Sequence, residues 1–126
     1  MAGSSASLHE DVAVLKPETI DRHRAVVSIM EELEAVDWYD QRFEAARDPQ
    51  LKEVLAHNRD EEKEHAAMML EWLRRHDAKL DEHLRTYLFT NKSLLQIEEE
   101  AEDKGKEGGD KPSAGDGSLG IGSLRS

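Results

Sequence analysis

Residues 4–104 contain no glycine, and this gap restricts the fold more than any other feature of the chain. Glycine is the usual residue of tight turns and β-bulges, so the gap argues against a fold rich in β-hairpins. It also excludes a P-loop and a dinucleotide-binding fingerprint, because both need glycines at fixed positions. Only Pro17 and Pro49 interrupt the stretch. The pattern therefore predicts an all-α protein built from long helices.

Two helices of about 28 to 30 residues are predicted in this block, each roughly 40 to 45 Å long. The first begins near Pro17, a favourable first-turn residue, and runs to about Arg47. The second begins at Pro49, with the preceding aspartate as its N-cap, and runs to about His76. Because only a few residues connect them, we expect an antiparallel hairpin. Shorter helices are expected at 80–88 and from Ser93.

Charge and cysteine content restrict the partners. The 28 acidic and 17 basic residues give a net charge of −11, which repels nucleic acid and anionic membranes and attracts cations. The chain has no cysteine, which excludes disulfides and thiolate metal sites and is compatible with the cytoplasm. No apolar run approaches the roughly 18 residues of a transmembrane helix, and no signal peptide is recognised. We expect neither nucleic-acid nor membrane partners.

Composition divides the chain into four segments. Residues 1–11 are expected to be a flexible N-terminus, and residues 12–97 the helical domain. Residues 98–117 are rich in acidic residues and glycine, and are expected to be a disordered linker. Residues 118–126 become apolar again. All six aromatic residues lie within 38–89, which is where we expect the packed core.

Polar groups interrupt the apolar stripes of both long helices. At heptad spacing the second helix aligns Leu51, Leu55, Asn58, Glu62, His65, Met69 and Trp72. The first helix carries one stripe of Ala25, Ile29, Glu32, Val36, Tyr39 and Phe43, and another of Ile20, Arg24, Val27, Glu31, Glu34 and Trp38. A helix with two such stripes has two surfaces to bury. One packs on the hairpin partner, and the other needs another chain.

Glu32, Glu62 and His65 are the candidate metal ligands. A buried unpaired carboxylate costs several kcal/mol, so these groups need a common partner such as a divalent cation. In di-iron carboxylate bundles, two helices each supply a Glu and two others each supply a Glu-x-x-His. This chain offers half of that set and no second Glu-x-x-His in residues 77–126. A symmetric dimer of hairpins would complete a four-helix bundle with its metal site on the two-fold axis.

A plainer interpretation stays open for each of these residues. The Glu-x-x-His pair lies in an acid-rich stretch that is also typical of a solvated helix face. Carboxylates with imidazole suit iron, manganese, zinc or cobalt, so the metal is not determined. Glu31 and Glu34 are either a second, weaker metal site or surface charges. Trp38 is expected to pack, and Tyr39 either packs or donates to a ligand carboxylate.

Four blocks, in order, resemble the encapsulated ferritin family. They are EELEAVDWY at 31–39, HNRDEEKEHA at 57–66, LRTYLFT at 84–90 and LGIGSL at 119–124. The resemblance covers roughly residues 8–97 and the tip of the tail. It implies a half-ferritin hairpin that forms a ferritin-like four-helix bundle as a homodimer, and five dimers that close into a ring-shaped decamer.

The resemblance also implies an activity and a location for it. It implies a ferroxidase, an oxidoreductase that converts iron(II) to iron(III) at a di-iron centre shared by two subunits. Glu32, Glu62 and His65 would bind two irons per subunit pair, for which zinc, manganese or calcium can substitute in crystals. Glu31 and Glu34 would form a second metal site that attracts iron or hands it over. The positions of Trp38 and Tyr39 lie close by, as a second shell.

The C-terminal segment 118–126 would then direct the protein into an encapsulin nanocompartment in the cytoplasm, for iron storage and detoxification. A short apolar segment on a polar linker is able to dock in a hydrophobic groove of a shell protein. The alternative for this segment is a solubilising tail. The alternatives for the whole chain are a non-enzymatic helical cargo or adaptor dimer and a rubrerythrin-like di-iron protein that reduces peroxide.

Overall fold

The computed structural model describes residues 7–107, and all regular structure within them is helical. The elements are a short 3-10 helix at Val12–Val14, α1 at Pro17–Ala45, α2 at Pro49–Arg75, α3 at Ala78–Tyr87 and α4 at Leu94–Glu107. The predicted all-α class is therefore confirmed. The two long helices end one or two residues earlier than the sequence pattern indicates.

Side-chain caps and prolines define where the helices begin. Pro17 and Pro49 are the first residues of α1 and α2. The Asp48 carboxylate accepts a hydrogen bond from the third backbone N–H after it, at 2.8 Å. Asp77 does the same at the start of α3 at 3.0 Å, and the Ser93 hydroxyl before α4 at 3.4 Å. These contacts satisfy backbone donors that have no partner inside the helix.

Contacts between α1 and α2 establish the antiparallel hairpin. Near the connection, the Lys52 ammonium donates to the backbone carbonyl of Phe43 at 2.7 Å and to that of Ala46 at 3.4 Å. A cation at this position stabilises the exposed carbonyls and the negative end of the α1 dipole. Farther along, the Arg59 guanidinium donates to Asp40 at 3.0 Å. Later residues of α2 thus face earlier residues of α1, as predicted.

The chain divides into two compact units, of which the first ends at Leu73 and the second begins at Arg74. In the second unit, Asp81 on α3 accepts hydrogen bonds from Arg74 and from Arg85, the latter at 3.0 and 3.1 Å. Burial opposes ionisation of the Asp81 carboxyl, but the hydrogen bonds from Arg85 and Arg74 outweigh it, so its pKa is lowered. This cluster links the end of α2 to α3.

The structure differs from the predicted domain boundary at residue 97. Helix α4 runs through the acidic run, so residues 98–107 are helical instead of belonging to a linker. The Glu100 carboxylate accepts from the Lys92 ammonium at 3.0 Å and from the Gln96 amide at 3.2 Å. The Lys92 contact lowers the pKa of Glu100. The rest of the expected linker, the apolar segment 118–126 and residues 1–6 lie outside the described residues.

The core contains small and aliphatic residues more than aromatic ones. The buried hydrophobic residues are Ala25, Ala66, Leu73 and Ile97. Trp38 is 49% exposed and Phe89 is fully exposed, with φ of 62° in the left-handed region that non-glycine residues rarely adopt. The expectation that all six aromatics mark the core is therefore wrong for these two. Burial needs facing surface, and the described part of the chain does not supply it here.

Apolar side chains remain exposed along both long helices. They are Val26, Met30, Leu33 and Trp38 on α1, and Leu51, Val54 and Met68 on α2. Exposed apolar surface on this scale is typical of a protein that associates with another chain. None of the described helices combines the length and the apolar character that crossing a membrane requires.

Candidate metal centre

Glu32 of α1 meets Glu62 and His65 of α2 at the middle of the hairpin. One ligand atom from each of these three side chains lies within 4.8 Å of the other two. Within the described residues 7–107, these three side chains are the acidic and histidine residues that lie close enough together to bind one metal ion. The structure therefore brings together the three residues that the sequence pattern selected.

Helix periodicity explains how the three side chains come to face each other. Glu62 and His65 are one turn apart on α2, and the His65 Nδ1 atom lies 3.5 Å from a Glu62 carboxylate oxygen. Glu32 lies on the α1 stripe that begins at the buried Ala25, and at Glu32 this stripe faces the α2 ligands. All three ligands are half-buried. The centre is therefore sheltered on the hairpin side and accessible from the other.

An unpaired oxygen of Glu32 is the most informative atom of the site. The Glu32 Oε1 atom is buried and has no hydrogen-bond partner. Leaving such an acceptor unsatisfied costs about 1 to 3 kcal/mol, and more when it carries charge. A cation bound here would satisfy this oxygen, and carboxylates with an imidazole suit iron, manganese or zinc. The residues thus fit a metal ion, and three side chains leave coordination positions free for further ligands.

The Arg59 side chain joins α1 to α2 one turn before Glu62. Its guanidinium donates to Asp60 at 3.1 Å and to Asp40 of α1 at 3.0 Å. Hydrogen bonds with Asp60 and Asp40 raise the pKa of Arg59, and the bond from Arg59 lowers the pKa of Asp60. The guanidinium also lies 5.2 Å from the centroid of the Phe43 ring. These contacts fix the register in which Glu32 faces the α2 ligands.

Glu61 is a neighbour of the site that the sequence reasoning did not select. One of its carboxylate oxygens lies 3.9 Å from Nε2 of His65, and the other lies 4.0 Å from Nε2 of His57. The signal in the sequence is the spacing, since Glu61 is four residues from each histidine and therefore on the same helix face. A carboxylate that hydrogen-bonds the second nitrogen of a ligand histidine orients its ring, and Glu61 lies on the correct side of His65 for this role, at a separation longer than a hydrogen bond.

Glu31 and Glu34 do not join the metal group. Both are exposed, both belong to the second α1 stripe, and neither is part of the group formed by the three ligands. Trp38, on the same stripe, is half-exposed, whereas Tyr39 is half-buried. The Arg42 guanidinium lies 5.7 Å from the Trp38 ring and 5.8 Å from the Tyr39 ring. Both aromatic side chains thus make cation–π contacts with one arginine.

A cavity of about 460 Å³ continues the inner face of the hairpin beyond the ligands. It is lined by Asp21, Arg24, Ala25, Ser28, Met68, Met69 and Trp72. Ala25 belongs to the same α1 stripe as Glu32, and Met69 to the same α2 stripe as His65. The cavity and the metal group are therefore neighbouring parts of one surface.

Comparison with known proteins identifies the type of chain. The sequence model of the EncFtn-like family matches residues 7–91. An encapsulated ferritin-like protein from Rhodospirillum rubrum is 64% identical, over 99% of this chain and 92% of the relative. A ferritin-like protein from Thermotoga maritima is 50% identical, over 90% of this chain and 93% of the relative.

A solved structure shows the same fold. A crystal structure of a protein from Nitrosomonas europaea superposes with a TM-score of 0.68 at 58% sequence identity. The match covers 70% of this chain and 97% of the solved one. The matched part of the chain therefore adopts a fold already seen in a crystal.

Proposed function

Because this chain belongs to the EncFtn-like family, we propose that it is a ferroxidase that oxidises iron(II) at the centre formed by Glu32, Glu62 and His65. The observation that carries the proposal is the buried Glu32 Oε1 atom, which lacks a partner beside two further ligands. Iron is the substrate in this scheme. Two iron(II) ions give one electron each to dioxygen, which takes up two protons and leaves as hydrogen peroxide.

A second copy of the chain completes the site in this proposal. One hairpin supplies two carboxylates and one imidazole, and two hairpins related by a two-fold axis supply four carboxylates and two imidazoles. That is the ligand set of di-iron carboxylate bundles. The exposed apolar side chains along α1 and α2 support the pairing, because they give a second copy something to bury. The ring-shaped decamer of five dimers belongs to the same proposal.

The ligand residues promote the reaction through charge and position. The Glu32 and Glu62 carboxylates are hard, anionic oxygen ligands, so they favour the more highly charged iron(III) product. His65 adds a nitrogen ligand from the same face of α2. Holding two iron ions in one site lets one oxygen molecule receive both electrons without a second diffusional encounter.

Iron supply depends on the acidic surface in this proposal. The net charge of −11 raises the local concentration of cations. Glu31 and Glu34 are exposed and are not among the ligands of the centre. In this proposal they bind iron on its way to the centre or after it leaves. Trp38 and Tyr39 would surround the centre as a second shell, with Tyr39 on the same α1 stripe as Glu32.

We further propose that the protein is cargo of an encapsulin nanocompartment in the cytoplasm. The R. rubrum relative is named an encapsulated ferritin-like protein, and it is aligned over nearly all of this chain. The apolar residues of segment 118–126 are the proposed address. Deleting this segment should leave iron oxidation intact and stop co-purification with the shell protein. Packaging that survives the deletion would contradict the assignment of this segment.

Single substitutions of the ligands test the ferroxidase proposal. Glu32→Ala, Glu62→Ala and His65→Ala should each remove the fast phase of iron(II) oxidation, followed by the absorbance of iron(III). Glu53→Ala is the matched control for the two glutamate variants, because Glu53 is exposed on α2 and its loss changes the charge as much as theirs does. Wild-type rates in all three ligand variants would overturn the proposal. A wild-type protein that binds no stoichiometric iron would instead favour the non-enzymatic cargo dimer.

A further inference from the structure

We propose that Met69 is an oxidation site of this chain, converted to its sulfoxide by hydrogen peroxide released from the iron centre. The inference rests on the ferroxidase function proposed above, which supplies the peroxide. It concerns a residue that takes no part in binding iron.

The position of Met69 places its thioether close to the source of the peroxide. Met69 follows His65 by four residues on the same α2 stripe, about one helical turn or 6 Å along the axis. It is half-buried, so bulk solvent reaches it less than it reaches the exposed Met68. Peroxide that leaves the metal group along the inner face of the hairpin therefore meets Met69 early.

The cavity beside Met69 provides the space for this encounter. Its volume of about 460 Å³ is many times the roughly 30 Å³ that one water molecule occupies in the liquid. Met69, Trp72 and Ala25 contribute to its wall. A molecule slightly larger than water thus has room to reach the sulfur from the side of the metal group.

The chemistry balances without any further reactant. The sulfur lone pair attacks one peroxide oxygen, a sulfur–oxygen bond forms, and the oxygen–oxygen bond breaks. The sulfur is oxidised by two electrons, and the other oxygen leaves as hydroxide. The hydroxyl now on sulfur loses its proton to give the sulfoxide, and the hydroxide takes up a proton to become water. Methionine sulfoxide is reversible by reductases. A thioether here therefore consumes an oxidant that would otherwise reach Trp72 in the same cavity.

Two other methionines provide controls within the same chain. Met68 is 59% exposed and also lines the cavity, whereas Met30 is 39% exposed on α1 and is not among the lining residues. The sample given hydrogen peroxide without iron measures the baseline order in which these methionines react, whichever of them a second copy covers. Oxidation by peroxide made at the iron centre should raise the Met69 sulfoxide above this baseline more than the Met30 sulfoxide, because Met69 lines the cavity and Met30 does not.

The experiment compares two sources of oxidant on the full-length protein. One sample is given iron(II) in air with catalase in solution, and the other is given hydrogen peroxide without iron. Peptide mass spectrometry with fragmentation measures the sulfoxide at each methionine. We expect the ratio of Met69 to Met30 sulfoxide to be at least about fivefold higher with iron. Equal ratios in the two samples would overturn the inference.

The conservative variant Met69→Leu tests the protective role, because it keeps an apolar side chain of similar size and removes the sulfur. Iron oxidation should be unchanged, and oxidised Trp72 should increase about threefold after repeated iron additions. Met30→Leu is the control and should leave Trp72 oxidation at the wild-type amount. No increase in oxidised Trp72 in Met69→Leu would overturn the protective role.

Failure of this inference is distinguishable from failure of the ferroxidase proposal. If wild-type protein accelerates iron oxidation and the sulfoxide ratio stays at its bulk value, only the Met69 inference fails. If wild-type protein does not accelerate iron oxidation, the ferroxidase proposal fails, and the Met69 inference fails with it. In Glu62→Ala, the ratio should fall to the bulk value together with the rate.

Discussion

Two partly buried carboxylates in this molecule, Asp81 and Glu32, differ in whether they have cationic hydrogen-bond partners. Asp81 of the second unit is held by Arg74 and Arg85, and these hydrogen bonds lower its pKa. Glu32 of the hairpin has a buried oxygen with no partner, and it lies within 4.8 Å of ligand atoms of Glu62 and His65. Asp81 thus has arginines beside it, whereas Glu32 has a carboxylate and an imidazole beside it.

The difference separates a structural acid from a ligand. Two arginines pair with the Asp81 carboxylate, so its cluster contributes to stability without a metal ion. The group around Glu32 is incomplete until a cation arrives, so its stabilisation depends on the metal. Burial alone does not distinguish the two cases. The partners distinguish them, and each of the following predictions changes a carboxylate, its partner or its protonation.

The largest effect should come from adding metal to the hairpin. At free metal about a hundredfold above its Kd, binding to the folded state adds about 2.7 kcal/mol to the free energy of unfolding. Thermal denaturation with and without manganese(II), which avoids iron redox chemistry, measures the gain. Glu32→Ala should lose most of it. A full gain in Glu32→Ala would mean that the metal binds elsewhere.

Asp81→Asn should be the next largest effect, and metal should not alter it. Removing the carboxylate charge weakens two arginine contacts at a side chain that is 17% exposed, at a cost of about 2 kcal/mol. Urea denaturation of the metal-free protein measures this cost. Glu82→Gln, at an exposed ion pair on the same helix, is the control and should change stability by less than about 0.5 kcal/mol. Equal costs for the two variants would refute the structural role of Asp81.

Glu61→Gln should lower the affinity of the hairpin for metal. Its carboxylate lies 3.9 Å from Nε2 of the ligand His65, and losing such an outer partner lowers metal affinity by about tenfold or more. Titration with manganese(II) measures the affinity, and Glu53→Gln controls for the charge change. Unchanged affinity in Glu61→Gln would show that the carboxylate does not orient the histidine.

The smallest effect should appear on acidification of the metal-free protein. The pKa of Asp81 in the folded state is lowered below its ordinary value of 3.8. Its contribution to stability is therefore complete above about pH 4 to 5 and is lost as the pH falls through the folded-state pKa. Urea denaturation across this range should show the difference between wild type and Asp81→Asn narrowing toward low pH. A difference that widens on acidification would contradict the lowered pKa.

Much of the fold could be predicted because its signals are local. Pro17 and Pro49 mark the starts of the long helices, and the short connection requires an antiparallel pair. The i, i+3 spacing of Glu62 and His65 was sufficient to place both on one face. Helix α4 was predicted to end too early, because its acidic run resembles a linker in composition, and the contacts of Glu100 with Lys92 and Gln96 appear only in three dimensions.

Burial and partner choice could not be predicted in the same way. The aromatic residues were expected in the core, yet Phe89 is fully exposed, because burial depends on which surfaces meet. Glu31, Glu32 and Glu34 are nearly adjacent in sequence and equally acidic. Whether one of them or all of them face α2 depends on the rotation of α1 about its own axis, which packing against α2 determines.

The sequence by itself determined the helices, their antiparallel pairing and the sets of residues that share a face, because these follow from capping chemistry and from a period of 3.6 residues. The sequence pattern also selected Glu32, Glu62 and His65 as ligands, but only the tertiary structure decided that their ligand atoms lie within 4.8 Å of one another and that Glu31 and Glu34 stay outside this group. It also decided that Asp81 is neutralised and that an oxygen of Glu32 is not. Periodicity places residues on faces, but only packing between elements decides which faces meet and which charges find a partner.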